Sequence, residues 1–132
     1  MRHALMLAAL VAAAPALAEP PMSAQAFEDY ATGKTLYYGT SGIPYGAEQY
    51  LPGRRVIWTF LDGDCQEGVW YEQGGDICFL YDVKPDQPQC WTFYNRGDGL
   101  MAQFENDPTA SPLVEVEQRK EPLVCPGPDV GA

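Results

Sequence analysis

Glu67 and Glu72 stand on either side of Trp70-Tyr71, and two carboxylates beside an aromatic platform are the minimum equipment for cleaving a glycosidic bond. Few other side chains in this chain of 132 residues are suited to carry a reaction. Its one histidine is His3, so the rest has no imidazole to serve as general base, to activate a nucleophile or to bind a metal. Ser23, Ser41 and Ser111 have only Lys34, Lys84 and Lys120 as candidate lysine activators. Asp62-Gly63-Asp64 opens like a calcium loop, but the sixth position, which needs glycine, is Glu67, and the twelfth, which needs glutamate, is Gln73. Asp-Gly reads instead as a hairpin turn. Cys65, Cys78, Cys90 and Cys125 lack the Cys-x-x-Cys spacing of zinc sites. No catalytic residue, metal or cofactor is assigned, and a protein without catalysis is expected. Carboxylate-dependent action on glycans stays open as the enzymatic alternative.

Residues 1–18 read as a signal peptide, cleaved after Ala18. Arg2 gives the positive start, Ala4 to Ala14 is apolar, and Ala16-Leu17-Ala18 puts small residues where a signal peptidase inspects. The apolar run falls well short of the ~20 residues that span a bilayer. The expected location is periplasmic or secreted, with no membrane insertion after cleavage. Residues 19–132 then form one domain, in which eighteen acidic residues face seven basic ones. Such a surface repels nucleic acid, attracts a cationic protein or peptide, and keeps the chain a soluble monomer.

An even number of cysteines in a small exported chain implies two disulfides. If Asp82 to Asp86 joins two antiparallel strands, Cys78 and Cys90 face each other across the hairpin, within disulfide reach. A turn at Gly74-Gly75 sets Tyr71, not Cys65, opposite Cys78. Cys65 is left for Cys125.

These positions depend on a run of strands. From Arg54 to Glu105, stretches rich in Val, Ile, Trp, Phe and Tyr alternate with Asp-Gly, Gly-Gly and Asn-Arg-Gly-Asp-Gly, the pattern of an antiparallel meander. Strands are expected near 55–61, 67–73, 76–82, 89–94 and 100–105, preceded by a short one at 34–39 and followed by an edge strand at 113–117. Ser23 to Gly33 predicts a short helix, capped by Ser23, ended by Gly33, with Phe27, Tyr30 and Ala31 on the face that packs on the sheet. Thr40 to Gly53 reads as a long loop with one helical turn at Ala47 to Leu51, and 119–132 as an irregular tail. The fold class is all-β: mainly an antiparallel meander forming a small barrel or a strongly twisted sheet of about six to seven strands, with one short N-terminal helix.

Gly33-Lys34-Thr35-Leu36, Tyr45 to Val56, Gly68-Val69-Trp70-Tyr71-Glu72, Ile77-Cys78-Phe79-Leu80-Tyr81 and Gln89-Cys90-Trp91-Thr92-Phe93 together resemble a group of small uncharacterised exported bacterial all-β proteins. The resemblance implies the β fold and export, and supplies no site residues.

Long loops on rigid sheets concentrate function, tyrosine offers contact area at little entropic cost, and an arginine in an acidic chain is free to grip a carboxylate. Tyr45, Tyr50 and Arg54 are therefore the candidate binding residues, and Tyr37, Tyr38, Tyr45 and Tyr50, on or near the long loop, are expected to be partly exposed. The function expected is an exported binding or interaction module, most concretely an inhibitor-like binder of a cationic protein. The alternative is a lipocalin-like cup for a small apolar ligand. Non-reducing peptide mapping should recover Cys78 joined to Cys90 and Cys65 to Cys125; recovery of Cys65 joined to Cys78 would overturn the hairpin registers.

Overall fold

The computed structural model describes residues 10–13 and 19–126. Most of the expected leader lies outside the described residues, as does the tail beyond Pro126. Among the described residues one helix, α1 (Ala24–Ala31), precedes eight strands: β1 (Thr35–Gly39), β2 (Pro44–Leu51), β3 (Arg55–Phe60), β4 (Cys65–Gln73), β5 (Asp76–Tyr81), β6 (Gln89–Asn95), β7 (Leu100–Phe104) and β8 (Leu113–Arg119). Each strand pairs antiparallel with the next, and β8 pairs with β1, so the sheet closes into an up-and-down barrel.

The all-β architecture agrees with the sequence reading, and two details differ. The barrel has eight strands rather than six or seven, because Pro44–Leu51 is a strand where a loop with a helical turn was expected. Ala-Glu-Gln favours helix by local propensity. Here β1 and β3 flank the segment, and pairing on both sides (Leu36 with Glu48, Glu48 with Trp58) answers its backbone groups as one helical turn could not. The second difference is β8, which is not an edge but the closing strand between β7 and β1.

Alternation along the strands sends Leu36, Tyr38, Tyr50, Val56, Trp70, Ile77, Phe79, Tyr81, Phe93, Leu100, Ala102 and Leu113 into the core. One end of this interior is filled by α1. Ser23 caps the helix by accepting the N–H of Ala26 at 3.1 Å, and Gly33 ends it with φ of +85°, a conformation glycine adopts without strain. Phe27 is completely buried, its ring centroid 4.4 Å from that of Phe93, 5.2 Å from Trp70 and 5.5 Å from Tyr50. Since those three rings come from β6, β4 and β2, the helix plugs the barrel end instead of lying on one face of a sheet.

The expected tail is held by more than Cys125. Beyond β8 it crosses the outside of the barrel, where Thr35 Oγ1 donates to the Glu121 carbonyl at 2.8 Å and the Leu123 N–H donates to Gln49 Oε1 at 3.1 Å. Cys125 then bonds to Cys65, and Cys78 bonds to Cys90 across β5 and β6. By loop entropy the long link contributes about 4 kcal/mol and the short one about 3. If Phe27 fills the barrel end, Phe27→Ala should cost about 3–5 kcal/mol in urea unfolding. A loss below about 1 kcal/mol would mean that the helix lies outside the core.

Candidate ligand site

Opposite the plug, the barrel interior is not filled. Gly46 and Gly68 face inward on β2 and β4, and each supplies room by lacking a Cβ. The Trp58 indole occupies the space a side chain at Gly46 would need, and the Tyr81 ring packs over Gly68. Small Ala102 on β7 removes further bulk. What remains is a cavity of about 150 Å³. Its wall is aromatic, made by Tyr38, Tyr50, Trp58, Phe79, Tyr81, Trp91 and Phe93, and its mouth carries Tyr45, Phe60, Gln66, Lys84 and Gln89. Tyr45 and Phe60 each lie against Trp58, with centroids 6.1 and 5.3 Å away.

The polar groups inside are few. Tyr81 donates its hydroxyl to Glu48 Oε1 at 2.7 Å, and the hydroxyls of Tyr38 and Tyr50 share a hydrogen bond at 2.9 Å. Glu48 is 2% exposed, lines the cavity, and its Oε2 is buried with no hydrogen-bond partner among the described residues. An unanswered carboxylate oxygen of this kind costs about 1–3 kcal/mol or more. Burial pushes the Glu48 carboxyl up to about 8, against the smaller downward pull of the Tyr81 hydroxyl. Burial also holds the Tyr38, Tyr50 and Tyr81 phenols well above their ordinary value, so all three keep their protons.

The other inward carboxylate shows what satisfaction looks like. Glu115, on β8, accepts the Tyr30 hydroxyl and the Leu100 N–H at Oε2, both at 2.7 Å, and the Gln118 amide at Oε1 at 2.8 Å. Its bonds join β8 to β7 and to α1 at the plugged end. Glu48 has no such set.

No family model, curated protein or solved structure matches the chain. Among the described residues, no group of three or more His, Cys, Asp or Glu is placed to hold a metal ion.

Tyr45 and Tyr50 line the same cavity, in different roles. Tyr45 is at the mouth and 42% exposed. Tyr50 is 2% exposed and Tyr38 3%, which corrects the expectation of partial exposure for both: their parity on β2 and β1 turns them inward, where their hydroxyls meet. Arg54 lies at the other end of the barrel, in the turn between β2 and β3 with φ of +57°. Its Nε donates to Glu28 at 3.2 Å and its guanidinium sits 4.4 Å from the Trp70 ring, so it ties α1 to the barrel and does not line the cavity. Glu67 and Glu72, five residues apart on one strand, project to opposite faces, and Glu72 accepts the Gly75 N–H in the hairpin turn. They do not form a pair.

Glu48, Trp58 and Tyr81 escaped the sequence reading of the site. Their signal was Gly46, Glu48 and Tyr50 at period two, which becomes informative only once the segment is known to be a strand.

An unfolded glutamate loses its proton near 4.5 and folded Glu48 near 8. The folded state therefore holds an extra proton between those values, and stability falls as pH rises through that window, levelling off above it. Glu48→Gln should remove this component. Urea unfolding is expected to find the variant similar to the parent near pH 4 and more stable by on the order of a few kcal/mol near pH 8.5; identical pH profiles would mean that Glu48 titrates normally.

Proposed function

We propose that this protein binds a small molecule in the open end of its barrel and does so without catalysis. The observation that carries the reading is the 150 Å³ cavity with its aromatic wall and one unanswered polar atom. Ligand sites are concave and mostly apolar, with a few placed polar groups that fix orientation. A cavity of this volume accommodates a single benzene-sized ring, so the ligand is small. Cationic-protein binding rests on net charge alone, and the cup is our preferred reading. The two disulfides fit an oxidising compartment; with the leader-like residues 1–18, we take the place of action to be the periplasm or the cell exterior.

Calorimetric titration with phenol, indole and cyclohexanol tests the cup. At least one of these should bind saturably at one site per chain, with little change between low and moderate salt, because an uncharged ligand gains nothing from screened charges. Ala102→Leu, which adds bulk to the cavity wall, should weaken that binding about tenfold or more while the barrel stays folded. Absence of saturable binding by all three would remove the proposal.

A further inference from the structure

The empty half of the barrel is built around a carboxylate, which an apolar ligand alone does not require. Glu48 has one oxygen fixed by Tyr81 and the other buried without a partner. A chain selected only to hold an apolar ring would be more stable with glutamine or an apolar residue there, since an unpaired buried carboxyl is costly. The cost makes sense if a ligand answers Oε2. Resting on the reading of the cavity as a ligand cup, we propose that its ligand is a small primary amine bearing one ring or a short alkyl chain, with the ammonium group on Glu48 Oε2 and the apolar body against the aromatic wall.

Three further observations favour a cation over a neutral donor or an anion. The wall that shares the cavity with Glu48 consists of aromatic faces, which attract cations and repel anions. Tyr81 already donates to Oε1 at 2.7 Å, the arrangement that supports an ionised carboxylate once a counter-charge arrives. The acidic excess of the whole chain raises the local concentration of cations at the mouth. Size restricts the class, because the cavity has room for about one ring and a short arm.

The groups facing Glu48 determine the proton balance. They are Tyr38 from β1, Tyr50 from its own strand and Tyr81 from β5, all kept protonated by burial, with Lys84 at the mouth as the charged residue of the lining opposite in sign to Glu48. Free Glu48 is held neutral by burial at pH 7, whereas a primary amine is an ammonium there. Binding therefore joins a neutral acid to a cation, forms a carboxylate–ammonium pair and releases one proton to solvent. Affinity should rise by about tenfold per pH unit from pH 6 towards 8.

The test is calorimetric titration of the intact chain with 2-phenylethylamine, its uncharged isostere 2-phenylethanol, and 3-phenylpropanoate. At pH 7 the amine should bind at least about tenfold tighter than the alcohol, a difference of about 1.4 kcal/mol, and the carboxylate should bind least. Repeating the amine titration in buffers of different ionisation enthalpy should show about one proton released per amine bound, and none per alcohol. Glu48→Gln should bind amine and alcohol alike. Equal affinities in the parent, tighter binding of the carboxylate, or an amine preference that survives Glu48→Gln overturns the inference. Those results leave the cup intact provided the alcohol still binds; failure of all three probes overturns the amine inference, and the cup falls with it only if phenol, indole and cyclohexanol fail as well. Should Glu48→Gln not fold, the pH dependence and proton release of the parent decide the matter, and an amine affinity flat from pH 6 to 8 overturns it.

Discussion

An eight-stranded barrel has a bore of fixed width, and that width is just enough for inward side chains to fill it. Closure of β1 on β8 therefore turns the choice of inward residues into a choice between solid core and cavity. At one end the chain fills the bore from outside the sheet, with Phe27 entering from α1 among rings of β2, β4, β5 and β6. At the other end Gly46 and Gly68 make room for the Trp58 and Tyr81 rings of the cavity wall, and Ala102 adds little bulk to that wall. The same strands thus serve as packed core at one level and as the wall of a cup at the next, and the helix is what keeps the two levels apart.

The two inward glutamates make that division chemical. Glu115 sits where the barrel is full, and two of the three bonds it accepts tie β8 to α1 and β7, while the third comes from Gln118 on its own strand. Glu48 sits where the barrel is empty, and half of it is answered. Cores tolerate buried charge when the surrounding groups are complete; an incomplete set inside a cavity is the less stable arrangement.

Much of the fold was legible because β3 to β7 obey local rules: aromatic and β-branched runs, glycine turns at regular spacing, and cysteines whose registers select their partners. The helix was equally plain, since Ser23, Phe27 and Gly33 occupy the positions that start, bury and end it. The missing strand was β2, and the reason lies in the site itself. Its inward residues are Gly46, Glu48 and Tyr50, of which one has no side chain and one is charged, so the alternation that marks a half-buried strand is absent. The features that make this strand a cavity wall are those that hide it. Local sequence and global fold disagree most at functional or strained sites, and here the disagreement fell on the residue with the unanswered oxygen. Arg54 misled in the opposite direction: an arginine in an acidic chain looked free, and its partner Glu28 is distant in sequence.

The link between Cys65 and Cys125 bears on the order in which the chain can mature. Cysteines emerge from a ribosome or a membrane pore in sequence, and oxidation in order of appearance would join Cys65 to Cys78 and Cys90 to Cys125. The native pairs are nested instead, one inside the other. Cys65 must stay reduced, or be released again by thiol exchange, until Cys125 has emerged. The outer bond therefore encloses β5 to β8 and ties the segment after the last strand to the start of β4. An oxidising compartment with a disulfide isomerase would produce this protein efficiently, whereas one that oxidises quickly and never reshuffles would accumulate chains locked before their final strand arrived.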